Sequence, residues 1–405
     1  MKILEVTPRC YVPGANVERW TGLDYVTSQI ACGLAERGHK VEIAMPFKFD
    51  EAGRLGGNLD IVFPGGVVEW CSSVLSKGNI GKCIKDAKEF GLREAVRDLA
   101  YKGYVTGFSK LLDDFAPDVV HVHGSTRWSY ECLRTSFEAG YSCVVTFHGV
   151  NRDNPMCSGI VKRVESQMMD YIAEKAIPYT AVSSGTMASV KEIAPLACNC
   201  SSAVIPNSVF IKQSELTKEE AREKLGVPHE NEVIVCIGTV GDRKNQAALV
   251  DAIASATTDE RRNLSVFLVG KDLYPGGILN YIEKKGVQDC VLATGFVKME
   301  EIADFYAAAD LNIMLSKSEG FGLSIIEAMS CGIPSLVAST VDSSADMDTS
   351  EAMRCIDWTT SRELFCAIKD MLETKWYTEQ IRQDAQRFSP DEMISSYERV
   401  LHGSR

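Results

Sequence analysis

Glu319 and Glu327 stand with seven residues between them around a Gly320-Phe321-Gly322 turn, and the stretch from Ser316 to Gly332 holds more chemistry than any other part of the chain. Glycines let a backbone pass close to a ligand with no Cβ in the way. Beyond the turn, Leu323, Ile326 and Ala328 continue as a helix whose free N–H groups suit an anion. Glu327 sits on that helix, and Glu319 lies in the loop ahead of it. One carboxylate can then reach a sugar and the other a ribose, with a diphosphate over the helix start. Such a layout holds a nucleotide sugar. Glutamates near a helix start also serve as caps and dipole partners, so the spacing alone decides little.

Other chemically able groups follow short apolar runs. Val145-Thr-Phe-His148-Gly149 places a histidine just past a buried strand. Ile237-Gly238-Thr239-Val-Gly241-Asp242-Arg243-Lys244-Asn245 sets two cations after the strongest apolar run of the second half. Gly22 stands at the mouth of the first helix, where a phosphate or acceptor could come close. Lys271, Phe296 and Val297 belong to further loops at strand ends. His121 and His123 alternate along Val119–Gly124, which suits packing and local hydrogen bonds.

The elements that must position these groups read as parallel α/β, because short apolar runs alternate with helical patterns throughout. Strands are expected at 3–6, 41–45, 119–122, 143–147, 179–182 and 203–205, with helices at 23–37, 83–90, 94–115, 129–139 and 161–175. A second set begins near Asn207. Its strands are expected at 233–237, 264–269, 291–294 and 311–314, and its helices at 219–225, 245–255, 299–309 and 323–330. Two further helices, over 376–388 and 393–401, break at Ser389-Pro390. Ligands of such sheets bind at the carboxyl ends of the strands.

At 405 residues the chain is too long for one core, and two domains are expected. No apolar run reaches the roughly 18 residues of a membrane helix, and the start reads as a buried strand rather than a signal peptide. The 14 cysteines are scattered with no C-x2-C pair, as in a protein of the reducing cytoplasm. A net charge of -12 argues against nucleic acid as a partner. The acidity is uneven, with 22 basic against 23 acidic residues up to Ile205 and the excess beyond. Residues 82–102 could rest on an anionic membrane, although the interleaved Asp86, Glu89, Glu94 and Asp98 read better as a solvated helix face.

Glu-Gly-Phe-Gly followed by Ile-Glu-Ala-Met-x-Cys-Gly-Ile-Pro resembles the E-x7-E signature of retaining glycosyltransferases of family 4, and the motifs run in that family's order from Lys2 to about Leu401. The resemblance implies the GT-B fold, two Rossmann-like domains facing each other across a deep cleft. The N-terminal, acceptor-side domain would span 1–206, with a helix at 391–405 crossing back onto it, and the nucleotide-sugar domain 207–390. It further implies that Glu319 orients the sugar hydroxyls, Glu327 grips the ribose, Lys244 binds the diphosphate and His148 bonds the donor sugar. Gly320, Phe321, Gly322, Leu323, Lys271, Phe296 and Val297 would flank the nucleotide. The family usually has an Arg where Thr239 stands, a Gly where Asn245 stands and a second Gly beside Gly22. Arg243 would then supply the missing cation, since its fork suits phosphate oxygens.

The implied reaction is same-face sugar transfer to a glycan, lipid or small-molecule acceptor, with mannose from GDP-mannose first and UDP-glucose second. No cofactor is expected, and no metal, because Asp346-Met-Asp348 reads as a polar loop. Two other readings stay open: a GT-B nucleotide-sugar epimerase, and a sugar-nucleotide binder made inactive by Thr239. A dinucleotide enzyme fits poorly, because Ile325 stands where a G-x-G-x-x-G needs its last glycine.

Overall fold

The computed structural model describes residues 1–11, 21–46, 59–64, 77–103, 105–151, 157–209, 211, 213–347 and 352–404. The chain divides into two compact units, residues 1–207 with 390–405, and residues 208–389.

In the first unit, β1 (Lys2–Val6), β2 (Lys40–Ala44), β3 (Leu59–Val62), β4 (Val119–His123), β5 (Cys143–Phe147), β6 (Tyr179–Ala181) and β7 (Ser202–Val204) form one sheet in the order β3-β2-β1-β4-β5-β6-β7. All its pairings are parallel. Parallel neighbours need crossovers, which come from α1 (Gly22–Glu36), α2 (Lys77–Phe90), α3 (Leu92–Gly103), α4 (Val105–Phe115), α5 (Arg127–Glu138), α6 (Gly159–Lys175) and α7 (Ser184–Ile193). Helices cover both faces, so every residue of β4 and β5 is buried, including His121 and His123. Trp128 packs edge-on to Phe108 at 5.6 Å in the core between α4 and α5. Truncating a side chain of that size costs roughly 3–5 kcal/mol.

The C-terminal helix, Pro390–Gly403, belongs to this unit and lies against α1. Gly33 makes the approach feasible, since a Cβ there would come within 2.6 Å of Ile394. Arg37 pairs with Asp391 and, at 3.0 Å, with Glu398, which also takes His39 at 2.7 Å.

The described residues of the helix expected over 94–115 are helical, in α3 up to Gly103 and in α4 from Val105, and residue 104 between them lies outside the described residues. One expectation fails on the helices before β4. Asp86 and Asp98 are not on a solvated face. They are buried and paired inward, Asp86 with Arg163 at 2.7 Å and Asp98 with Arg127 at 2.8 Å. A buried carboxylate left without its cation would be strongly destabilising, so these acids turn in. Ile84, Leu92 and Val96 turn out instead, 56%, 70% and 51% exposed, beside exposed Lys85, Lys88 and Arg93.

In the second unit, β8 (Glu232–Ile237), β9 (Leu264–Val269), β10 (Val291–Gly295), β11 (Leu311–Met314), β12 (Ser335–Ala338) and β13 (Met353–Ile356) form a parallel sheet in the order β10-β9-β8-β11-β12-β13. Its helices include α8 (Lys218–Lys224), α9 (Gln246–Ala254), α10 (Ile278–Lys285), α11 (Met299–Ala308), α12 (Leu323–Ser330), α13 (Ser361–Glu373) and α14 (Thr378–Ala385). The strand order reverses between β1 and β4 in one sheet and between β8 and β11 in the other. Each reversal opens a crevice at the carboxyl ends of the strands. Among the described residues no helix is long and apolar enough to cross a membrane.

Candidate functional site

In the second unit the loops after β8 and β11 meet at the reversal. The Lys317 N–H donates to the Arg243 carbonyl at 2.8 Å, and Arg243 Nη1 donates to the Ser318 carbonyl at 2.9 Å. These bonds bring Glu319 under two cations. Its Oε2 lies 2.7 Å from Arg243 Nη1 and 2.6 Å from Lys244 Nζ, with the carboxylate side chain 18% exposed. Burial alone would raise the Glu319 pKa, but the Lys244 charge and then Arg243 outweigh it and hold the carboxyl at about 2.

Local backbone conformation makes this possible. Gly238, at φ +138°, leaves room for Lys244, whose Cε would sit 3.3 Å from a Cβ there. Asn245 takes the left-handed conformation, φ +59° and ψ 32°, just ahead of α9. Asparagine tolerates that region better than most residues, which accounts for its standing where a glycine is expected. Gly322 is also left-handed at φ +85°, and a Cβ there would meet Met314 Sδ at 2.7 Å.

Glu327 lies on α12 and accepts a hydrogen bond from the Tyr306 hydroxyl at 2.9 Å. Burial raises its pKa, opposed by the Tyr306 bond and by the Lys244 charge. Lys244 therefore acts on both glutamates. Tyr306, buried on α11, carries no local sequence signal, because it reaches Glu327 from 21 positions away through packing.

The remaining candidates divide by what their side chains do. Phe321 is buried against Phe388, 6.1 Å between ring centres, so only its backbone can meet a ligand. Gly320, Gly322 and Leu323 lead into the first turn of α12. Thr239 lies in the loop after β8, its carbonyl accepting from Gln246 Nε2 at 3.3 Å. The Lys271 carbonyl accepts from the Val240 N–H at 2.9 Å, tying the loop after β9 to the loop after β8. Beyond β10, Phe296 is 47% exposed, whereas Val297 packs against the core. Asp346 lies in a short helix, Ser344–Met347, and not in a loop, while Asp348 falls outside the described residues.

In the first unit Gly22 is exposed as the first residue of α1. Thr21 precedes it, and the Thr21 N–H donates to Asp24 at 2.7 Å. The neighbouring positions 13–16 and 20 fall outside the described residues. His148 follows β5, with its Nε2 3.0 Å from His123 Nδ1. His123 Nε2 in turn lies 2.6 Å from Glu5 Oε2. The packing and local hydrogen bonds expected of His121 and His123 are present, whereas Glu5 has no place in the expected site, because only the sheet register reveals its pairing with β4.

Residues 20–237, more than half of the chain, match the family model described as Glycosyltransferase Family 4, and residues 217–387 match Glycosyl transferases group 1. Mannosylfructose-phosphate synthase of Agrobacterium fabrum is 31% identical over 32% of this chain and 29% of its own. The chain spans about a third of the length of the curated relatives it matches. Among solved structures, sucrose-phosphate synthase from Thermosynechococcus elongatus superposes with a TM-score of 0.76 at 16% identity, over 99% of this chain and 98% of that one. Anabaena HepE in complex with UDP-glucose superposes with a TM-score of 0.72 at 19% identity, over the full length of both. The fold is GT-B, with two Rossmann-like parallel-sheet domains.

Proposed function

This chain belongs to glycosyltransferase family 4, and we propose that it is a retaining hexosyltransferase using a nucleotide-sugar donor and a glycan, lipid or small-molecule acceptor. The observation that carries this reading is the placement of Glu319 under Lys244 and Arg243 at the β8/β11 crevice. A donor diphosphate is a better partner for two cations than one carboxylate, because each phosphate oxygen accepts a charge-assisted hydrogen bond. On donor binding Lys244 and Arg243 turn to the diphosphate, and Glu319 is released to the sugar hydroxyls. Glu327 accepts from the ribose, and His148 bonds the donor sugar.

Breaking the anomeric C–O bond leaves negative charge on the departing phosphate. The two cations and the first turn of α12 stabilise that charge. They supply the positive charge that a metal would otherwise bring, which supports metal independence. The departing phosphate takes the acceptor proton on the same face of the sugar.

Mannose from GDP-mannose is the first choice of donor, and the name of the Agrobacterium relative, mannosylfructose-phosphate synthase, supports the mannose. UDP-glucose, as in the Anabaena complex, is the second. The exposed Ile84, Leu92 and Val96 among Lys85, Lys88 and Arg93 support weak peripheral contact of α2 and α3 with an anionic membrane, from the cytoplasmic side. Thr239 favours one other reading, a binder without turnover. Following donor consumption with and without acceptor sugars and lipids separates the two. Transfer with retention of the anomeric configuration is expected, and tight donor binding with no product overturns the enzymatic reading.

A further inference from the structure

Glu5, His121 and His123 lie on one face of the sheet at the β1/β4 reversal, all fully buried, with Glu5 directly across from His121 in register. Their donor atoms lie close enough together to suggest a metal site. The separations argue otherwise. Glu5 Oε2 is 2.6 Å from His123 Nε2 and 2.9 Å from His121 Nδ1. Ligands each about 2.0–2.2 Å from a tetrahedral zinc stand further apart than that. The short contact is a hydrogen bond.

From it the proton positions follow. An ionised carboxylate only accepts, so His123 Nε2 carries a proton. A neutral His123 then has a bare Nδ1, and the contact at 3.0 Å requires His148 Nε2 to donate. His148 Nδ1 is left bare, buried and, among the described residues, without a hydrogen-bond partner. A buried polar atom with no partner calls for an explanation, and here it has one.

We infer that Glu5 and His123 are positioning residues that fix His148 as its Nε2-protonated tautomer, so that Nδ1 accepts a hydrogen bond from a ligand hydroxyl. A phosphate or carboxylate oxygen cannot take that place, because it has no proton to give. The relay stands on the geometry of the first unit alone. Identifying the hydroxyl as one on the donor sugar rests on the proposed function.

The surroundings agree. Burial lowers the His123 pKa to about 4, with His121 adding to the effect, and burial pushes His148 well below the ordinary histidine value. Both rings are therefore neutral at pH 7. Burial would raise Glu5, but His121 and His123 outweigh it and hold the carboxyl at about 2. His121 points its other nitrogen to Thr146 Oγ1 at 2.7 Å, and Thr146 continues to Thr180 at 2.7 Å. The Tyr397 ring, from the C-terminal helix, closes over His121 at 5.4 Å.

With six histidines in the full chain, nitrogen NMR of the 15N-histidine-labelled protein reads each tautomer, and His148→Asn identifies the His148 signals by their loss. At pH 7 His148 is expected to show a protonated Nε2 and a bare Nδ1. Glu5→Gln, whose amide can donate or accept, is expected to give a mixture of both tautomers and at least a several-fold loss of donor turnover. The opposite tautomer or an imidazolium in the wild type overturns the relay, as does an unchanged tautomer in a folded Glu5→Gln protein. UDP-glucose and GDP-mannose are the probes for the hydroxyl. Whichever of them binds by calorimetry is expected to shift the bare Nδ1 signal. Binding of one with an unmoved Nδ1 overturns the hydroxyl assignment, whereas failure of both to bind counts against the proposed function and leaves the tautomer test standing by itself.

Discussion

Glu319 Oε2 sits 2.6 Å from Lys244 Nζ, so a carboxylate proposed to serve the sugar occupies a cation proposed to serve the diphosphate. Removing the carboxylate frees that cation. Glu319→Ala is expected to lower transfer by about 10²-fold, the scale of a lost electrostatic contact at a reacting centre. Its affinity for the nucleoside diphosphate should hold or rise. Equal loss of turnover and nucleotide affinity, measured by kinetics and calorimetry on one preparation, would contradict the sugar-side role.

Arg243 reaches the same carboxylate oxygen as Lys244, at 2.7 Å, although Thr239 stands where the family's usual cation is expected. If Arg243 supplies that charge, Arg243→Ala and Lys244→Ala should each weaken nucleoside diphosphate binding by roughly 1.5–3 kcal/mol, the worth of a charged hydrogen bond. An Arg243→Ala protein with wild-type affinity would show that the position is uncompensated.

Glu327 should behave differently from Glu319 as the pH falls. Burial raises the Glu327 pKa above its ordinary 4.5, so its carboxylate is the first to be lost on acidification. Nucleotide affinity is predicted to fall while the pH is still above 4.5. The Glu319 pKa is lowered to about 2. Its ion pairs therefore contribute stability in full above the unfolded value of 4.5, lose it progressively as the pH falls from there, and have lost it below about 2. Tyr306→Phe, which removes the bond to Glu327, should weaken nucleotide binding and move this acid limb upward. A pH-independent affinity down to 4.5 would refute the ribose assignment.

Much of this was legible in the sequence, and the reasons are local. Leu264–Val269, Leu311–Met314, Cys143–Phe147 and Leu323–Ser330 fall on their expected bounds because each is a clear apolar run with a sharp end. The expectations omit β3, β12, β13, α7, α10 and α13. Ser335–Ala338 and Met353–Ile356 are four residues each, too short to show a period, and two residues of β13 are exposed. Within the site, Glu319, Glu327, Lys244 and Arg243 are visible as residue types near glycines. Tyr306 and Glu5 are not, since each meets its partner only through tertiary packing or strand register.

The outward face of α2 and α3 also carries a prediction. Vesicles containing anionic lipid should sediment the protein at low salt, and neutral vesicles should not, because basic residues near an anionic surface contribute about 1 kcal/mol each. Ile84→Ser with Leu92→Ser should abolish sedimentation without changing nucleotide affinity in the other unit. Equal sedimentation with neutral lipid would refute the electrostatic part of the contact.

The central claim is that the β8/β11 crevice holds a nucleoside diphosphate on Lys244, Arg243 and Glu327. Calorimetric titration with GDP, UDP and ADP, with and without Mg²⁺, tests it most directly. One of the three is predicted to bind tightly without metal, and Lys244→Ala and Glu327→Ala should each weaken it. Binding by none of them, or binding that neither substitution alters, would contradict the account.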